Sequence, residues 1–427
     1  MLLLMGVIGT ILLSLGVHFM VALFAIFLIL SFFFFPDLHL NILTQQVLFG
    51  IMPISLVCIP MFILAANIVV SGESAKKLIN IIKVFLGHIR GSLPIITNVA
   101  CAMFGSISGS TQATVVAVGG TMRPMLLEAG YSSSFTLGLI INSSDIAFLI
   151  PPSIGFIVYG VATRTSIGKL YLAGILPGLL VCVLFSIFSY FYSKYNNIRL
   201  YPRSSWKEKK QAIKEGILII GFPIICLGGI YAGIFSPTEA AAVSVLYALI
   251  LEGLVYRSLT SKKLIDAVMS TATITGVVFI LVGASQAVAW LVSYSGISEI
   301  ILPHIFGNEP SALRVIILIN ITYFIACMFI DPVVAILILT PLFAPYVAQA
   351  GIDKVFMGVL VTMQAAIGSA SPPFGCDIFT AMVIFKRPYL EVIKMTWPFI
   401  LILLFALYII VIFPDLALFL PRHSFVN

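Results

Sequence analysis

Gly105-Ser106-Ile107-Ser108-Gly109-Ser110-Thr111-Gln112 is a polar, glycine-broken run set inside strongly apolar sequence. A second interruption follows at Asn142-Ser143-Ser144-Asp145, closing on Pro151-Pro152-Ser153. Backbone that leaves helical geometry in lipid strands N–H and C=O groups, each costing several kcal/mol. Such breaks persist where protein or a hydrated cavity satisfies them, which in membrane proteins marks an ion or substrate site.

The stretch recurs. A shift of 221 places Pro124 on Pro345, Ala129-Gly130 on Ala350-Gly351 and Phe135 on Phe356. It also places Pro151-Pro152 on Pro372-Pro373, Pro177 on Pro398 and Leu180 on Leu401, without a gap. Prolines and glycines in register identify a duplication in which each copy carries one broken segment.

Composition sets the class. The chain has 427 residues, 61% hydrophobic and 9% charged, with a mean hydropathy of +1.16. Soluble domains carry about 25% charge, so the expected fold is an all-α polytopic membrane protein. No extended soluble segment suggests an attached nucleotide-binding or catalytic domain. Met1 to Leu15 has no basic residue before its apolar run and reads as a retained helix rather than a signal peptide. The net charge of +7 does not indicate nucleic acid, because seven basic and two acidic residues concentrate between Lys194 and Glu215. That is the mark of a cytoplasmic loop. Cys58, Cys101, Cys182, Cys226, Cys327 and Cys376 are scattered singly and read as small packing residues. His18, His39, His88, His304 and His423 show no zinc-ligand spacing.

In order, Leu2 to Phe35 is long enough for two short crossings turning at Gly16-Val17-His18, given that roughly 20 residues span a bilayer. Pro36 to Gln46 reads as interfacial and Val47 to Val70 as a crossing. Ser74 to Arg90 places Lys76, Asn80, Lys83, Gly87 and Arg90 on one stripe, which predicts an amphipathic helix at the cytoplasmic headgroups. Leu93–Phe104 and Ala113–Leu127 are the arms of a re-entrant hairpin with its tip at the serine–glycine run. Phe135–Thr163 crosses with an interruption between Asn142 and Ser153, and Leu170–Tyr192 returns. Ile217–Phe235 is an extra crossing, and it inverts the second copy relative to the first. There Ala240–Val255 and Thr271–Leu291 cross, and Ser293–Ala312 lies at the outer interface. Leu313–Tyr346 forms a second hairpin with its tip near Ala326–Asp331. Val355–Phe385 is broken at Ser369–Pro373, and Trp397–Phe413 ends the membrane part. The organisation expected is a scaffold with a cytoplasmic arm (1–92), a first hairpin and broken helix (93–192), a basic loop with further scaffold helices (193–312), and a second hairpin and broken helix (313–427).

A helix interrupted at mid-membrane gathers a positive dipole end and free carbonyls at one point. Hard oxygen ligands suit sodium. The candidate ion ligands are Ser106, Ser110, Asn142 and Asp145 in the first copy, and Asp331, Gln364, Ser369 and Ser371 in the second. Hydroxyls and N–H groups suit a carboxylate, so Ser108, Ser110, Thr111, Gln112 and Ser153 are candidates for binding substrate. Asp331 falls on Ser110 under the 221 shift. An aspartate at mid-membrane costs about 2.5–3.5 kcal/mol, so a cation or strong donor should accompany it; Asp331 also suits a helix cap ahead of Pro332. Asp377 and Glu239 read as structural groups near an interface. Ser132, Ser133 and Ser134 read as backbone-bonding serines.

The motifs Gly105-Ser-Ile-Ser-Gly-Ser-Thr-Gln-Ala-Thr, Glu128-Ala-Gly-Tyr, Ile150-Pro-Pro-Ser, Gly174-Ile-Leu-Pro-Gly, Ser236-Pro-Thr-Glu-Ala-Ala-Ala and Ser371-Pro-Pro-Phe-Gly span nearly the whole chain. Together they resemble the large membrane subunit of tripartite ATP-independent periplasmic (TRAP) transporters. The resemblance implies a sodium-driven importer in a bacterial inner membrane, carrying an organic acid of the sialic acid or C4-dicarboxylate class. It further implies a soluble periplasmic binding protein that delivers substrate, a small four-helix membrane subunit, and an elevator motion of hairpins and broken helices against a scaffold. The chain departs from the common pattern at Ser371, where threonine is frequent, and at Asn142-Ser-Ser-Asp, where small residues are frequent. The alternatives are a stand-alone sodium-coupled carboxylate transporter, an ion channel or a membrane-embedded enzyme. An enzyme would need a mid-membrane histidine that the sequence does not place, and a channel would need a continuous pore.

Overall fold

The computed structural model describes residues 4, 7–9, 11–12, 15, 17, 19–198, 202–296 and 310–424. The crossing expected before His18 and most of the outer segment from Ser293 to Ala312 lie outside the described residues. Every regular element among those described is helical, and six helices are long and apolar enough to cross a membrane. Two bent pairs qualify as further spans, one of them Ser133–Leu149 with Ile154–Thr163, bent by 43°.

The duplication is visible in the backbone. The first hairpin runs Ser92–Ser108 and Thr111–Glu128, the second Ala312–Cys327 and Pro332–Gln349. The outgoing arms are both 18 residues long and begin at positions 221 apart. Each broken helix is interrupted at its proline pair, and both pairs are cis: Pro151-Pro152 and Pro372-Pro373. Ile154–Thr163 and Cys376–Phe385 complete the two broken helices, each ending on a left-handed cationic residue, Arg164 and Lys386. Among the described residues, five candidate spans separate the two hairpins: the bent pair Ser133–Leu149 with Ile154–Thr163, then Ile167–Tyr195, Trp206–Tyr231, Pro237–Val255 and Ser261–Tyr294, an odd number, as inverted repeats require.

The copies interlock. Each incoming hairpin arm packs on the first half of its own broken helix. Each outgoing arm packs on the second half of the other copy's: Thr111–Glu128 against Cys376–Phe385, and Pro332–Gln349 against Ile154–Thr163. Close approach within a copy is achieved by one glycine on either side. A Cβ on Gly105 would lie 2.4 Å from Ala147 Cα, and one on Gly368 would lie 2.4 Å from Cys327 Cβ.

Other expectations need correction. Gly105 to Ser108 are helical, and only Gly109, at φ +60°, turns the chain. The glycine at 105 answers a helix contact rather than a turn. Asn142 to Ser144 are likewise helical, and the interruption proper lies at 150–153. The Val47–Val70 crossing is divided at Met52-Pro53 into Asn41–Ile51 and the span Ile54–Ser71, because proline lacks the N–H and crowds the preceding turn.

Scaffold helices Ile54–Ser71, Pro237–Leu249 and Ser261–Tyr294 pack together. The amphipathic helix expected over Ser74 to Arg90 forms but ends earlier, as Ser74–Leu86; it buries Leu78, Ile79, Ile81 and Ile82 and rests on Trp206–Tyr231. Its start is clamped by Glu252, a fully buried carboxylate in a π-helical turn. Glu252 accepts from Glu73 N at 3.0 Å, Ser74 N at 2.9 Å and the Ser258 hydroxyl. Ser205 and Ser236 each form a capping box with a glutamate three residues on, Glu208 and Glu239; Glu239 is structural, as expected.

Candidate functional site

Gly109 turns the first tip directly onto the first break. Its carbonyl accepts from Ile154 N at 3.2 Å, and a Cβ there would lie 2.3 Å from Pro152 O. One of the N–H groups left open at the start of Ile154–Thr163 is thus satisfied by the hairpin. Ser110 then caps the outgoing arm by accepting from Ala113 N at 3.4 Å. Asp331 does the same in the second copy, accepting from Val333 N at 2.9 Å.

Both tips open on one cavity of about 320 Å³. Ser108, Ser110, Thr111 and Gln112 line it from the first hairpin, and Asp331, Pro332 and Val333 from the second. Phe148 and Ile154 come from the first broken helix. The scaffold closes it with Asn67 and Ser270 among apolar residues. Asn67 donates to the Thr271 hydroxyl at 2.9 Å, which fixes its amide. Gln112 and Asp331 both line this space, one from each tip. Among the described residues, Asp331 is the one formally charged residue in the lining, and no lysine, arginine or histidine faces the space. A larger groove of about 840 Å³ runs between Gly160–Gly168 and the scaffold turn Gly233–Pro237, away from both tips.

Of the expected site residues, the structure brings Ser108, Ser110, Thr111, Gln112 and Asp331 to this chamber. The others lie elsewhere. Ser106 sits within the incoming arm and bonds Met103 O at 2.6 Å. Ser153 caps its helix and donates to Phe148 O at 2.6 Å. Ser371 bonds Ile367 O at 2.6 Å. Asn142 donates to Gly138 O at 2.8 Å from inside its helix. Ser369 reaches Asp377 at 2.7 Å. Asp145 is buried, and neither carboxylate oxygen has a hydrogen-bond partner. Asn142 Oδ1, Thr362 Oγ1 and Gln364 Oε1 are buried and unpaired as well. Among the described residues no three His, Cys, Asp or Glu side chains converge as a metal cluster.

Asp377, expected near an interface, is instead fully buried. It accepts the Thr111 hydroxyl at 2.8 Å, so it joins the first hairpin to the second broken helix. Sequence reasoning also missed Asn67 and Ser270. A lone asparagine inside the apolar span Ile54–Ser71 was the available signal.

A family profile described as the tripartite ATP-independent periplasmic transporter DctM component matches residues 4–416. The chain belongs to this family. It is therefore a transport permease rather than an enzyme, and a multi-pass protein of the bacterial inner membrane. Members of the family work with a small permease subunit and a periplasmic binding protein. Relatives include the ectoine/5-hydroxyectoine TRAP transporter large permease UehC of Ruegeria pomeroyi, 52% identical over 97% of both chains. The sialic acid TRAP large permease SiaM of Vibrio cholerae is 33% identical over 90% of both. The C4-dicarboxylate TRAP large permease DctM of Pseudomonas aeruginosa is 32% identical over 86% of both. Among solved structures, the YdaH transporter of Alcanivorax borkumensis superposes with a TM-score of 0.62 at 14% identity, covering 88% of both chains, and shares the fold.

Proposed function

We propose that the chain is the large permease of a sodium-driven importer for an ectoine-class solute, a small ring bearing a carboxylate and a delocalised amidinium cation. The observation that carries this reading is the chamber's charge among the described residues: one carboxylate, Asp331, and no basic side chain. A dianion would meet a like charge in a desolvated space, where such juxtapositions are strongly unfavourable. A zwitterion brings its own cation to Asp331. The relatives agree in direction, because those named for ectoine are 52% identical and those named for sialic acid or C4-dicarboxylates 31–33%. The sialic acid and dicarboxylate expectations therefore give way. A cavity of about 320 Å³ also suits a small ligand.

Sodium coupling is supported by Asp145, whose buried oxygens lack any donor. An unpaired buried carboxylate is costly, and a hard cation held by such oxygens offsets that cost. The interlocked hairpins and broken helices, residues 93–192 and 313–427, form the moving body in this reading. Residues 1–92 and 193–312 form the scaffold it slides against. The solute arrives from a periplasmic binding protein, and a small membrane subunit braces the scaffold.

Reconstitution with the small subunit and an ectoine-loaded binding protein tests the reading. Uptake should need an inward sodium gradient and respond to membrane potential, each net charge contributing about 2.3 kcal/mol per 100 mV. Accumulation of succinate or sialic acid in preference to ectoine would overturn the substrate. Undiminished ectoine uptake without sodium would overturn the coupling.

A further inference from the structure

The two halves of the moving body differ chemically at equivalent points. In one, Thr111 of the hairpin tip meets Asp377, with Ser369 on the carboxylate's other oxygen. The shift of 221 converts Thr111, Asp377 and Ser369 into Pro332, Phe156 and Phe148. Pro332 and Phe148 line the same chamber as Thr111 and Gln112. The chamber thus has one hydrogen-bonding flank and one apolar flank.

Thr111 Oγ1 donates its proton to Asp377 Oδ1 at 2.8 Å. Ser369 Oγ lies 2.7 Å from Asp377 Oδ2 and 2.8 Å from Ala366 O, and has one proton to give. If Ser369 donates to Asp377, the carboxylate is ionised. If it donates to Ala366 O, Asp377 carries a proton on Oδ2. With Asp377 ionised, or protonated on Oδ2, Oδ1 accepts from Thr111. A hydroxyl whose proton is committed offers only lone pairs to a ligand. The Asp331 carboxylate, lining the same chamber, is an acceptor as well.

We infer that Asp377 is a positioning residue for substrate selection: it holds the Thr111 hydroxyl as a pure acceptor, so that Thr111 and Asp331 together receive the N–H groups of the substrate's cationic end. The apolar flank at Phe148 and Pro332 receives the carbon face of the ring. This assignment rests on the ectoine-class reading above.

The substitution Asp377→Asn separates orientation from charge. Asparagine accepts from Thr111 through its carbonyl and donates its amide to Ser369, so the Thr111 lone pairs stay where they are. Asp377→Leu removes the acceptor and frees the Thr111 proton to point into the chamber. Ectoine binding to the purified permease should weaken about tenfold in Asp377→Leu, and comparably in Thr111→Val, since a hydrogen bond to a charged group contributes about 1.5–3 kcal/mol and 1.4 kcal/mol is tenfold. Asp377→Asn should stay within about twofold, and the Asp377→Leu/Thr111→Val double variant should bind no worse than Thr111→Val, because residues acting through one contact are non-additive. An Asp377→Asn protein as impaired as Asp377→Leu would overturn the assignment in favour of a direct charge effect. Parent-like ectoine affinity in Asp377→Leu, with a shifted sodium half-saturation, would overturn it in favour of an ion site. Should Asp377→Leu fail to fold, Thr111→Ser must keep the affinity that Thr111→Val loses; loss in both, or in neither, overturns the proposal. A parent protein that binds succinate and not ectoine removes the substrate reading, and this assignment with it.

Discussion

Ser110 and Asp331 stand 221 residues apart and perform the same task, each capping the outgoing arm of its hairpin at the rim of one chamber. The difference between them is a charge. Asp331→Asn keeps an acceptor for Val333 N, so the cap survives, but it removes the one formal charge of the lining. The variant should insert and fold normally, with ectoine uptake reduced at least about tenfold, the equivalent of about 1.4 kcal/mol. Parent-rate uptake in proteoliposomes would leave Asp331 as a cap only.

Asp145 should be visible as a sodium-dependent stability. Sodium at a hundred times its dissociation constant stabilises the folded state by about 2.7 kcal/mol. Exchanging choline for sodium should therefore raise the melting temperature of the parent in detergent, and leave that of Asp145→Asn nearly unchanged. Equal sodium responses in the two proteins would place the ion elsewhere.

Gly105→Ala tests the helix contact. The new methyl would meet Ala147 backbone at 2.4 Å, so the incoming arm or the broken helix must shift. Overpacking of this kind costs about 1–3 kcal/mol, to be read as a lowered melting temperature. Gly120→Ala is the control, with nothing within 4 Å of its Cβ, and should melt with the parent.

Glu252→Ala strips the start of Ser74–Leu86 of its acceptor and leaves Glu73 N and Ser74 N facing a void. Each buried unsatisfied group costs about 1–3 kcal/mol. The expected readout is faster amide exchange at residues 73–78, with the outer half of the scaffold unaffected. Unchanged exchange would show that water replaces the carboxylate.

What the sequence made legible was backbone punctuation. Proline pairs and glycines restrict φ and ψ locally, so the duplication and both helix breaks were readable to within a few residues. Gly105 misled because a glycine that admits a neighbouring helix looks the same as one that makes a turn, and its neighbour Ala147 belongs to another element. The carboxylates were harder to place for a similar reason. Asp377 meets Thr111 across 266 residues, a separation at which local pattern is silent. Serines mid-membrane were ambiguous in the way their chemistry dictates. Ser106, Ser153 and Ser371 return their protons to nearby carbonyls, whereas Ser108 and Ser110 face the chamber, and the residue type is the same in each.

The exchange of partners between the copies has a genetic consequence. Thr111 is completed by Asp377 of the other copy, and each outgoing arm lies on the other copy's broken helix. Neither copy alone encloses Thr111 or Asp377, so a half-length product would leave each without its partner. Expressed as separate halves, the two copies should therefore have to be made in the same membrane for Thr111 and Asp377 to be buried together.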